Sequence, residues 1–140
     1  MNCRVLGVDP GGTTGAAIIK FPELVVEDTY KLDLDGVFDN VFTMVGYVDL
    51  VAIERYVITP RTARLSRQPD AMYATGALMM AARRANVPVE MESMSDTKNS
   101  FPDEVLRQLD VWDGNEHVRD AIRCALLGAR RGGETILPAV

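Results

Sequence analysis

Two segments of this 140-residue chain end in the same way: "VLGVD" closes on Asp9 and "VAIE" closes on Glu54, each an apolar run whose last residue is a carboxylate. An acid at the end of a buried strand is a costly placement unless something there needs its charge. After Asp9 comes Pro10-Gly11-Gly12-Thr13-Thr14-Gly15, a turn with little side-chain bulk. Such a turn lets a phosphate-bearing chain come close, because a Cβ would stand in its way. Two ionised carboxylates held side by side repel each other unless a cation lies between them. A third acid, Asp120, follows His117 by one helical turn, which puts both on one side of a helix. Oxygen ligands with one imidazole suit Mg²⁺ or Mn²⁺ better than zinc. Each position also has a plainer explanation. Asp9 before Pro-Gly can be a turn former, Glu54 an exposed strand end, and His117 a surface histidine. Asp120 falls nearly opposite the centre of its helix's apolar stripe, which suits a solvated residue.

The elements that must position these groups can be read in order. "CRVLGVD" and "TGAAIIKF" flank the glycine turn as a β-hairpin, and Val25 to Leu32 adds a third strand. A helix opens at Asp35 or Gly36, with Val37, Val41, Met44, Val45 and Val48 at helical spacing. "DLVAIE" is the fourth strand, and the Pro, Thr, Ser and Arg content of the next segment marks a loop. A helix is expected from Asp70 to about Ala85, and "VPVEME" is the fifth strand. "SMSDTKNSF" reads as a connector with at most one helical turn. Pro102 suits a helix start for "DEVLRQLDV". Asn115 then caps a last helix with Val118, Ala121, Ile122, Ala125, Leu126 and Ala129 on one stripe. The order implies an α/β fold: a five-stranded mixed sheet with helices on both faces. It forms a single domain over residues 1–140, with a loose tail from about residue 132.

Bulk properties narrow the classes. The apolar content is 47%, no apolar run nears the roughly 20 residues of a membrane span, and the N-terminus enters a strand directly. No signal peptide or membrane anchor is therefore expected, and Cys3 and Cys124 are read as reduced, buried thiols of an intracellular protein. The net charge is −5, against the usual basic balance of nucleic-acid binders, but it is unevenly spread. Residues 21–50 hold seven acids and one base, whereas 55–67 hold Arg55, Arg61, Arg64 and Arg67 and no acid. That loop is either a local grip on a phosphate backbone or a solvated segment.

Asp9 with its Gly-Gly-Thr-Thr-Gly turn, Glu54 closing an apolar strand, and "HVRDAIRCALL", in that order, resemble the RuvC family of Holliday-junction resolvases. The resemblance runs from about Val5 to Ala129 and implies an RNase H-like fold. "ERYVI" is similar to the stretch where a side chain just after the Glu enters the junction, here Tyr56 or Val57. "MSDTKNSF" is similar to the family's lysine-bearing connector, which would bring Lys98 to the scissile phosphate. The resemblance further implies a homodimer that nicks branched DNA with two Mg²⁺ or Mn²⁺ ions per site and no nucleotide cofactor. Asp9 would bridge the ions, Glu54 and Asp120 would complete one shell each, and His117 would ligate a metal or orient water. Gly11, Gly12, Thr13, Arg55, Arg61, Arg64 and Arg67 would lie along the DNA. His117 stands where many members have an acid. The short, acidic chain suggests a compact phage-type form, working in the cytoplasm of a bacterial or phage-infected cell. Three other readings stay open: a less selective flap or fork nuclease, an inactive module that binds branched DNA, and a phosphate-binding protein of the actin and sugar-kinase type. The last would need a second domain and a second glycine-rich loop.

Overall fold

The structure, a computed structural model, describes residues 2–57, 60–61 and 68–136. Among the described residues ten elements follow in the order β1 (Cys3–Asp9), β2 (Thr14–Phe21), β3 (Val25–Leu32), α1 (Leu34–Val45), β4 (Leu50–Glu54), α2 (Gln68–Arg84), β5 (Val89–Glu92), α3 (Met94–Ser100), α4 (Asp103–Gln108) and α5 (Glu116–Arg131). The sheet order is β3-β2-β1-β4-β5. The first three strands form an antiparallel meander, and β4 and β5 join β1 in parallel through the α1 and α2 crossovers. The five-stranded mixed sheet expected from the sequence is present.

Alternation along the strands sorts side chains onto two covered faces. Leu6, Val8, Ile18, Val51 and Ile53 meet Val41, Met44 and Val45 of α1 and Leu78, Ala81 and Ala82 of α2. Val5, Ala17, Ile19, Phe21 and Ala52 meet Leu106 of α4 and Val118, Ile122 and Leu126 of α5. Asp9 and Glu54 have the parity of Val5 and Ala52, so they belong to the α5 face. In the β1–β4 register Val8 lies beside Ile53, and one further step brings Asp9 level with Glu54.

Several boundaries differ from the sequence expectation. Asp33 caps α1, its carboxylate accepting from the Gly36 N–H, so that helix starts one or two residues early. The "SMSDTKNSF" connector is mostly helix α3, seven residues long and capped by Ser93. It has no apolar stripe, so its start is written only in the cap. Helix α2 starts at Gln68, before Asp70. Within the expected loose tail, Ile136 is 5% exposed and packs into the α5-side core, and residues 137–140 lie outside the described residues. Cys124 is buried, but Cys3 is only half-buried. Among the described residues, no helix is long and apolar enough to cross a membrane.

Candidate metal centre

Helix α5 comes so near the sheet that the strands beneath it must be bare. A Cβ on Gly7 would stand 1.9 Å from the Ala121 carbonyl oxygen, and one on Gly15 would stand 2.1 Å from that of His117. Farther along, a Cβ on Gly128 would meet the Ala52 side chain at 2.8 Å. Three glycines from three elements thus set the height of α5 over the sheet. This docking lowers Asp120 onto the carboxylates of β1 and β4. One oxygen each from Asp9, Glu54 and Asp120 lies within 4.8 Å of the others.

Asp120 and Glu54 are buried, at 8% and 5% exposure, which excludes the solvated alternatives for both. Asp120 is covered because α5 is buried almost all round, from Asp120 through Ala129, with the sheet on one side and α3 and α4 on the other. The buried Arg123 holds Asp120 in place, its Nη1 donating to Oδ1 at 2.8 Å. Its Nε donates to the Phe101 carbonyl at 2.7 Å, and Nη2 pairs with Asp103. The His117 Nδ1 lies 3.4 Å from Asp9 Oδ2, half-exposed at the mouth of the site.

The electrostatics show what the cluster lacks. Burial, then a hydrogen bond to Asp9 and the charges of Asp9 and Asp120, push the Glu54 carboxyl up to about 9. Burial also raises Asp9, the hydrogen bond from Glu54 opposes that shift, and the charge of Asp120 adds to it. The Lys98 charge lowers both, so α3 brings this lysine within electrostatic reach of the pair. Without a cation, burial and the neighbouring charges favour the protonated form of these strand-end acids. The buried Glu54 Oε1 has no hydrogen-bond partner. A buried orphan oxygen beside two further carboxylates fits an oxygen-loving divalent cation.

Beyond the triad, the predicted residues divide. Arg55, Tyr56 and Val57 line a hollow of about 490 Å³ with Asp9, Glu54, Ser93 and Met94. Lys98 lines a second hollow, about 320 Å³, with Asp103, Glu116, Arg119, Asp120 and Arg123. Gly11 helps close the hairpin turn, its N–H donating to Thr14 Oγ1 at 3.3 Å. Gly12 and Thr13 are half-buried in that turn, and Arg61 is exposed. Arg64 and Arg67 lie outside the described residues. Sequence reasoning missed Arg123, although a lone charge inside the run "AIRCALLGA" was a signal that something buried must pair with it. It also missed Glu92, fully buried and level with Glu54 in the β4–β5 register, with Arg131 on its Oε2. Burial first, against the pull of Arg131, moves the Glu92 carboxyl up to about 7.

No protein-family model matches the chain, and no curated protein sequence matches it. Solved structures do. Thermus thermophilus RuvC in complex with a Holliday junction substrate is similar over 94% of this chain and 96% of that one, at 18% identity and a TM-score of 0.75. A second T. thermophilus RuvC structure is similar over 96% and 99%, at 20% identity and a TM-score of 0.73. The triad therefore stands in a chain that has, along nearly its whole length, the RNase H-like fold of RuvC.

Proposed function

We propose that the protein is a metal-dependent endodeoxyribonuclease that nicks branched DNA, a Holliday-junction resolvase. The observation that carries this reading is the convergence of Asp9, Glu54 and Asp120 around a buried oxygen without a partner. It occurs in a fold shared with a RuvC solved on a Holliday junction substrate.

Asp9, Glu54 and Asp120 would hold Mg²⁺ or Mn²⁺, two ions per site, with His117 beside Asp9. Bound divalent cations would offset charge on the phosphoryl oxygens and lower the pKa of the attacking water. The chain's own groups do the rest. Asp9 and Glu54 would have to be ionised for the site to load. Arg123 fixes Asp120 by donating to its Oδ1. Lys98 adds positive charge where the scissile phosphate would lie. Tyr56 and Val57, on the hollow next to Glu54, would pack against bases unstacked at the branch point.

Resolution needs two symmetric nicks, so the protein acts as a homodimer. The exposed Met72, Tyr73, Met79 and Met80 on α2 support this, with Gly76 open between them. At micromolar concentration, sedimentation should give about twice the 15.4 kDa chain mass. The activity test is a panel of four-way, three-way, flap and linear duplex DNAs with Mg²⁺ or Mn²⁺. Paired nicks in the four-way substrate support the reading. Equal cutting of flaps and forks would make it a less selective nuclease, and no cutting with either metal would refute it.

A further inference from the structure

The turn between α4 and α5 carries a cationic cluster at the edge of the site described above. Val111 is buried and anchors this turn, while Trp112 next to it stays 39% exposed. Two guanidinium groups lie over the Trp112 ring, Arg107 at 4.6 Å and Arg119 at 5.3 Å from its centroid. Arg119 comes from α5, one residue before Asp120, and its Nη1 donates to the Asp113 carbonyl at 3.0 Å. Its Nε lies 3.5 Å from Asp103 Oδ1, a carboxylate already engaged by Arg123. Arg107 is exposed, and among the described residues no carboxylate pairs with it.

An arginine stacked on an aromatic face loses little freedom when its N–H edge binds phosphate. Arg107 keeps that whole edge open, whereas Arg119, with Nη1 on Asp113 and Nε beside Asp103, has Nη2 without a hydrogen bond among the described residues. Arg119 also lines the hollow that holds Lys98 and Asp120. Arg119 therefore links the hollow of Lys98 and Asp120 to Arg107 through the shared Trp112 ring, and Tyr56 and Val57 line a different hollow. A protein of net charge −5 holds a phosphate backbone only through cations gathered where that backbone passes.

We propose that Arg107 and Arg119, held over the Trp112 ring, form a phosphate-binding subsite for one duplex arm of the branched DNA. This subsite lies on the α4–α5 flank of the carboxylate triad. The inference rests on the reading of the protein as a branched-DNA nuclease. Trp112 acts as a positioning residue, and the two arginines make the contact.

The test is fluorescence anisotropy of a labelled synthetic four-way junction, titrated between 50 and 300 mM salt with Ca²⁺ replacing Mg²⁺. Each lost phosphate contact should flatten the slope of log affinity against log salt by about 0.9. Arg107→Ala, which removes an exposed side chain, should show that loss, and Arg119→Ala the same. Trp112→Ala should weaken the slope as Arg107→Ala does, Trp112→Phe should retain it, and Lys31→Ala on the far edge strand should leave it unchanged. If Arg107→Ala and Arg119→Ala keep the wild-type slope, the stack only ties α4 to α5 and the subsite is refuted. If wild-type protein does not bind the junction at any salt concentration, the functional reading fails, and the subsite with it.

Discussion

Arg123 and Asp120 form a buried ion pair one helical turn apart, Nη1 to Oδ1 at 2.8 Å, and through it a surface acid of the sequence becomes part of the site's floor. The same guanidinium ties α5 to the Phe101 carbonyl and to Asp103 at the start of α4. Replacing Arg123 with Met should cost about 3 kcal/mol of stability, because it strands a buried carboxylate and a carbonyl. Urea denaturation measures this. A cost under about 0.5 kcal/mol would mean that Asp120 is held by something else.

Gly7→Ala should disrupt the site from beneath. Its methyl would lie 1.9 Å from the Ala121 oxygen and 2.7 Å from the Ala125 nitrogen, so α5 has to lift. A loss of about 3 kcal/mol or more is expected. At temperatures where the variant stays folded by circular dichroism, Mn²⁺ affinity by calorimetry should drop roughly tenfold.

These two residues also show where sequence reading stops. Asp9 and Glu54 were legible because each ends an apolar strand, and strand alternation alone puts them on one face. The burial of Asp120 was not legible. Its own helix marks it as solvated, and only the packing of α3 and α4 over α5 covers it. Gly7, Gly15 and Gly128 look like ordinary interior residues until α5 is docked on them. Arg123 finds Asp103 twenty residues away, a pairing that no local spacing announces. Helix α3 has no apolar period, so only the Ser93 cap marked its start.

Metal-free stability should fall as pH rises. Folded Glu54 keeps its proton up to about 9, whereas its ordinary value is 4.5. Between those values the folded state binds more protons than the unfolded one, so unfolding becomes easier with each pH unit, by up to about 1.4 kcal/mol. Glu54→Gln should flatten this dependence and stabilise the metal-free protein at pH 8. Mg²⁺ should stabilise the wild type more at pH 8 than at pH 6, since loading requires the proton to leave. Thermal melts across pH 5–9, with Mg²⁺ and with EDTA, follow both effects. A metal-free melting temperature that rises between pH 6 and pH 8 would contradict them.

His117 sits 3.4 Å from Asp9 and brings nitrogen to a site otherwise made of oxygen. Mn²⁺ accepts imidazole more readily than Mg²⁺ does. Wild-type cleavage should therefore favour Mn²⁺, and His117→Asp should shift the preference toward Mg²⁺. His117→Ala rates equal to wild type with both metals would show that the imidazole takes no part.

The most direct test of the central claim separates binding from chemistry at the triad. Asp9→Asn, Glu54→Gln and Asp120→Asn are each assayed on a four-way junction, by cleavage with Mg²⁺ or Mn²⁺ and by gel shift. The account predicts that all three bind the junction and that none cleaves it measurably. If any of them cleaves at the wild-type rate, the carboxylates do not hold the catalytic metal, and the proposed mechanism is wrong.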